Sequence, residues 1–187
     1  MANIDKAFGL RPIGNLSATG AQKQYGYTIE AESDPIYQGD MVTVYDGYLV
    51  QFDPSAHTAA VGVFNGCNYV DPTTGKPTWR NNWQGADVDA QADVLDDPNQ
   101  LFLIQSAGTI SQASIGKNAD VVVGTGNDVT GVSGSEINGT TANAADRNLK
   151  IVGLYDSPGN SFGENAVVVV KINEHLYGSE GVAAQGA

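Results

Sequence analysis

Side chains that could act as acids, bases, nucleophiles or metal ligands are few in this 187-residue chain, and they are widely spaced. Asp87, Asp89 and Asp93 form the densest carboxylate group, extended by Asp96 and Asp97. Hard cations such as calcium take several carboxylate oxygens. These aspartates lack the spacing of a calcium-binding helix–loop–helix, so they read as a solvated acidic loop. His57 and His175 lie in unrelated settings. The members of a Ser-His-Asp triad need not be neighbours in sequence. However, Gly131-Val132-Ser133-Gly134-Ser135 only grazes the nucleophile-elbow pattern, and no helix follows it. His57 therefore reads as a turn residue, and His175 as the polar end of the last strand. Gly124-Thr125-Gly126-Asn127-Asp128-Val129 follows a strand pattern but lacks the third glycine and the helix N-terminus that cradle a dinucleotide phosphate. Cys67 is the single cysteine, which excludes an intramolecular disulfide and any multi-cysteine zinc site. It reads as a small buried hydrophobe. No catalytic, cofactor or metal-binding residue is assigned, and the chain is expected not to be an enzyme.

The composition explains why chemistry is sparse. Only 16% of residues are charged, and Gly, Ser, Thr, Asn and Gln take their place. That mixture suits short strands joined by many turns, not salt-bridged helices. The net charge of −12, from 21 acidic and 9 basic side chains, opposes binding to nucleic acid or to an anionic membrane surface. It favours docking on a basic protein surface. No apolar run approaches the ~20 residues that span a bilayer, and the opening Met1-Ala2-Asn3-Ile4-Asp5-Lys6 is unlike a signal peptide.

The elements that would position these residues are strands. Residues 1–20 read as an extended N-terminal arm whose apolar cluster, Phe8-Gly9-Leu10-Arg11-Pro12-Ile13, is too short for a helix. From Gln24 the pattern alternates, with Tyr25, Tyr27 and Ile29 on one face. Asp46-Gly47 between two apolar runs is a strong hairpin signal. Asn65-Gly66 predicts a further turn. Residues 71–100, which hold Trp79, Trp83 and the aspartates, read as a loop excursion or inter-subunit flap. A second irregular excursion covers 124–147, and Ser111 is placed to cap one helical turn. The body is expected over residues 21–177, with a flexible tail at 178–187. The predicted class is all-β, an antiparallel β-barrel or sandwich with an N-terminal arm and long irregular loops. Trp79, Trp83 and the tyrosines read as core and subunit-interface aromatics, with a carbohydrate platform as the alternative.

A phrase occurs twice in the last third. Ile115-Gly116-Lys117-Asn118-Ala119-Asp120-Val121-Val122-Val123 is echoed by Phe162-Gly163-Glu164-Asn165-Ala166-Val167-Val168-Val169-Val170. Each copy reads as a turn entering a valine strand covered on both faces, with Gly and Asn tolerating positive φ at the entry. Two copies are too few for a solenoid. Together with Phe8–Ile13 and the closing Lys171-Ile172-Asn173-Glu174-His175, these phrases resemble virion structural proteins of tailed bacteriophages, specifically capsid cement or decoration proteins. The resemblance spans about residues 7–177. It implies a small β protein of the virion exterior, made in the host cytoplasm, that binds a lattice of major capsid protein and stabilises the head. It also implies a homo-oligomer, as a trimer or alternatively a dimer. It brings no catalytic residue and no cofactor. A head-fibre base, another virion component or a carbohydrate-binding β module are the alternatives. Within this reading, Phe8, Leu10, Arg11, Pro12 and Ile13 are the expected capsid contacts, on an arm over Ala7–Ile13. Trp79 and Trp83 are the expected oligomer contacts.

Overall fold

Where the sequence alternates with period two, the chain forms antiparallel ladders. The structure, a computed structural model, describes residues 3–17, 24–143 and 145–178. Its strands are, in order, β1 (Arg11–Asn15), β2 (Gln24–Ile29), β3 (Ile36–Tyr37), β4 (Met41–Tyr45), β5 (Tyr48–Gln51), β6 (Gly62–Val70), β7 (Pro77–Arg80), β8 (Asn82–Trp83), β9 (Ala90–Leu95) and β10 (Gln100–Gln105). A single 3-10 turn at Gln112–Ser114 follows. Then come β11 (Asn118–Ala119), β12 (Val121–Val122), β13 (Glu136–Ile137), β14 (Leu149–Leu154) and β15 (Val167–Ile172).

Two sheets carry the architecture. The first has the order β1-β10-β15-β14-β11, and the second β2-β9-β6-β4-β5, with β7 paired to the outer half of β6. Short ribbons β3-β8 and β12-β13 complete the set. The edges β2 and β5 of the second sheet approach each other without a connecting ladder. The fold is thus an all-β sandwich, and no closed barrel forms.

The second sheet is buried on both faces, and neighbouring residues show it. Met41, Val63 and Leu95 join the core against the first sheet, with Phe102, Ile104, Ile151, Val168 and Val170. Their immediate neighbours Val42, Phe64 and Val94 point the other way, into a second core with Ile29, Ile36, Cys67 and Trp83. Successive side chains of a strand face opposite sides, so a sheet covered twice needs apolar residues at consecutive positions. The Asp46-Gly47 turn forms as expected: both residues have positive φ (48° and 88°), and Tyr45 pairs with Tyr48. Ser114 Oγ accepts the Ser111 N–H, closing the 3-10 turn.

Several expectations are corrected. Asn65-Gly66 is no turn. β6 runs through it with a bulge between Phe64 and Gly66, staying paired with β9 while its other edge passes from β4 to β7. Residues 71–100 are not a loop excursion, because they supply β7, β8 and β9, and β9 lies between β2 and β6. Polar residues there alternate with small apolar ones: Ala90, Ala92 and Val94 are buried. The 124–147 stretch does stay largely irregular around β13.

The doubled phrase splits. The second copy is β15, a central strand whose Val168, Val170 and Ile172 are buried while the alternate residues are half-covered. The first copy breaks into β11 and β12, which belong to different sheets, and Val122 and Val123 are exposed. The turn reading holds at Gly116, Gly163 and Asn165, all with positive φ. The tail beyond Gly178, and residues 1–2 and 18–20 of the arm, lie outside the described residues.

Candidate interaction surface

The N-terminal segment is tied to its own body along its described length. Asn3 Nδ2 donates to the carbonyls of Ser161 and Glu164. Buried Gln105 accepts the Lys6 N–H and donates to the Ile4 carbonyl. Leu10 is buried in the inter-sheet core, and Arg11–Asn15 pairs with β10. The extended arm expected over Ala7–Ile13 thus lies on its own domain. Gly9 explains the fit: its φ is +68°, and a Cβ there would lie 2.6 Å from the Gly39 carbonyl oxygen and from Ser133 Cβ. Only glycine lets the segment lie this close.

Beneath the segment is a knot around Asp40, which sequence reasoning did not single out. Its Oδ1 accepts the Ser133 and Ser135 hydroxyls at 2.5 and 3.1 Å. Its Oδ2 accepts Tyr37 N–H at 2.9 Å and Gln51 Nε2 at 2.8 Å. Burial pushes the Asp40 carboxyl above its ordinary range, and the four donors oppose that rise. Gly9 N–H donates to the Ser135 carbonyl, so the knot ties the N-terminal segment and the 124–137 lobe to the second sheet. The signal available in sequence was an aspartate between Gly39 and the apolar run Met41–Tyr45. Nothing local identified its distant partners.

Of the expected capsid contacts, Arg11, Pro12 and Ile13 are exposed, Phe8 is half-buried and Leu10 is buried. The Arg11 guanidinium carbon lies 4.6 Å from the centroid of the Phe8 ring. A cleft of about 350 Å3 opens beside them, lined also by Gln38, Asn65 and Val132. Ile13 is the bulged residue where the β1–β10 register slips, and Pro12 sits on the sheet edge, where a missing N–H costs no ladder bond.

The two tryptophans part company. Trp83 is 1% exposed, donates Nε1–H to Ser33 Oγ at 3.0 Å, and meets Tyr69 edge-on at 5.5 Å. It is a core residue, and its assignment to an oligomer contact is corrected. Trp79 is 54% exposed on the β6–β7 hairpin. Gly66 makes room for its ring, since a Cβ there would come within 2.7 Å of it.

The residues weighed for chemistry are scattered. His57 Nδ1 accepts the Asp53 N–H within a turn, and its ring packs between Tyr45 and Phe52. His175 Nδ1 accepts the Tyr177 N–H. Ser133, from the elbow-like run, serves Asp40. Cys67 is buried, and its thiol is pushed up to about 11 by that burial. Gly126 lies against the Tyr37 ring, and Asp128 accepts the Tyr37 hydroxyl at 2.5 Å, pushing that phenol up to about 12. The glycines of this run thus serve packing. The aspartates have separate duties. Asp89 accepts Ala31 N–H, Asp96 accepts the Tyr27 hydroxyl, and Asp97 accepts Asn15 Nδ2. Among the described residues no group of three or more His, Cys, Asp or Glu side chains could hold a metal ion. No helix there is long and apolar enough to cross a membrane.

No family model, curated protein or solved structure matches the chain.

Proposed function

We propose that this chain is a cement protein of the tailed-bacteriophage virion, binding the outer surface of the major capsid protein lattice as a homo-oligomer, a trimer in the first instance. The reading rests on the sequence resemblance. The observation that carries it in the structure is the exposed edge strand β1, which presents Arg11, Pro12 and Ile13 beside the Phe8 cleft. A lattice-binding subunit needs a rigid body and a fixed contact surface. A strand locked to its own sheet loses little conformational freedom on docking. Trp79, on its exposed hairpin, is the aromatic assigned to the oligomer contact.

Because Leu10 is a core residue, deleting residues 1–13 would damage the body as well as the contact. Point substitutions separate the two. Occupancy of Ile13→Asp and Arg11→Ala variants on capsids lacking the protein is expected to fall about tenfold or more, with the melting temperature unchanged. Wild-type occupancy of both variants would defeat the reading.

A further inference from the structure

The β6–β7 hairpin carries an apolar face with nothing of its own chain to cover it. Asn68 pairs with Trp79 and Val70 with Pro77, and alternate residues of a strand share a face. Val70 and Trp79 are 55% and 54% exposed, and Pro77 is exposed between them. Among the described residues no strand pairs with the outer edge of β7. Lys76 and Arg80 lie at that edge, on the other face, and bring two of the chain's 9 basic side chains to one short hairpin. Asp71 is its single carboxylate. Neither cation forms a salt bridge among the described residues.

A groove of about 560 Å3 beside the β4–β5 hairpin has the opposite character. Buried Ile36 and Leu49, with the exposed ring of Tyr45, give it an apolar lining. Glu32, Asp34 and Asp53, all exposed, add three carboxylates, and no lysine or arginine lines it. His57 lines it too and is neutral at pH 7, because burial lowers its imidazole below 6.5.

A hairpin cannot fill the groove of its own chain. Cys67 and Tyr69 pack into the second core with Ile36 and Leu49. Their neighbours Asn68 and Val70 point to the other side of the sheet, and Pro77 and Trp79 point with them. The ends differ as well. β4 runs from Met41, opposite Val63, past Gly62 toward Tyr45, whereas β7 pairs with the far end of β6, Cys67–Val70.

We infer that the groove seats the β6–β7 hairpin of a second copy of this chain, so that subunits join head to tail. The Val70–Pro77–Trp79 face covers Tyr45 and the apolar lining. Lys76 and Arg80, on long stems at the free edge, reach the carboxylates. Charge decides the occupant. Two copies of net charge −12 repel each other over most of their surfaces, and a basic hairpin facing an acidic groove fixes the one favourable register. An aromatic anchor beside an arginine is also the usual centre of a protein contact. Because the two surfaces differ, the contact repeats around a ring when the rotation closes. The inference rests on the homo-oligomer of the proposed function and supplies its contact; it does not depend on the capsid.

The test is sedimentation velocity of the full chain and two variants, alone and mixed. Trp79→Ala removes the anchor, and Glu32→Lys with Asp34→Lys reverses the groove. Each variant alone should associate at least about tenfold more weakly than wild type. Their equimolar mixture should form dimers and nothing larger, because one intact hairpin then meets one intact groove. Arg80→Glu leaves the indole in place and should weaken association about tenfold by itself. Melting temperatures should match wild type for the charge variants, which change exposed side chains. A monomeric wild type, or variants that assemble as wild type does, overturns the contact. Variants that fail to pair with each other overturn its head-to-tail form. Wild-type oligomers that obey these rules yet leave capsids bare would defeat the cement reading and not this contact.

Discussion

His175 and Asp40 are buried ionisable groups whose titrations act on stability with opposite signs. Burial lowers the His175 imidazole from 6.5 to about 4. Between those values the unfolded chain binds the proton and the folded chain does not, so stability falls as the pH drops from 6.5 to 4. The gap corresponds to roughly 3 kcal/mol. Urea unfolding of His175→Gln across that range should show a flatter pH dependence than wild type; an unchanged slope would locate the acid sensitivity elsewhere. The Asp40 carboxyl is raised above 3.8, so the folded state binds the extra proton. Its contribution is present below that value and is lost as pH rises through the raised folded pKa. Asp40→Asn turns an amide N–H₂ or a carbonyl toward each donor pair, leaving one pair facing donors. The expected cost is about 1–3 kcal/mol at neutral pH, and a variant as stable as wild type would show that the knot is dispensable. Neither role was legible from sequence. His175 was expected at the polar end of the last strand; it lies beyond β15, which ends at Ile172, and is buried through a β-bridge to Ala60, a residue distant in sequence.

At the scale of elements, the two valine phrases test how far a local pattern decides an environment. Val170 is a buried central-strand residue, whereas Val122 is exposed on a two-residue ribbon. Val170→Ala is expected to cost about 2 kcal/mol, from lost burial plus a cavity. Val122→Ala should stay within about 0.5 kcal/mol. Equal costs in denaturant unfolding would contradict the division of the repeat. Gly66 sets another element-scale device, the bulge that turns β6 toward β7. Gly66→Ala would drive a Cβ into the Trp79 ring at a φ of +153°. The cost should be about 1–3 kcal/mol, with a change in Trp79 fluorescence, and an unperturbed tryptophan signal would count against the close approach. Period-two alternation and the Asp46-Gly47 turn were readable because both rest on local backbone preferences. The Asn65-Gly66 pair carried the same turn chemistry but was overridden by continuous pairing with β9 and β7. The 71–100 stretch was misjudged because Asp, Gln and Ala interrupt its apolar pattern, although its small alanines are what a strand packed between two neighbours on a crowded face can hold.

For the whole molecule, the N-terminal segment is a structural part and not a detachable arm. Leu10→Ala should destabilise the body by about 2–5 kcal/mol, whereas Ile13→Asp should leave the melting temperature unchanged. A reversed order in thermal unfolding would show that the segment is not anchored through Leu10. Residue chemistry alone determined the all-β class, most strand positions, the acidic exterior and the burial of Cys67, because these follow from composition, alternation and charge. The tertiary structure decided what depends on contacts between distant segments. It set the sandwich with one sheet covered on both faces, the burial of Trp83 with exposure of Trp79, and the knot that joins Asp40 to Ser133 and Ser135. Those side chains are brought together only by the order of strands within the sheets, and strand order is set by long-range packing that no local stretch of sequence encodes.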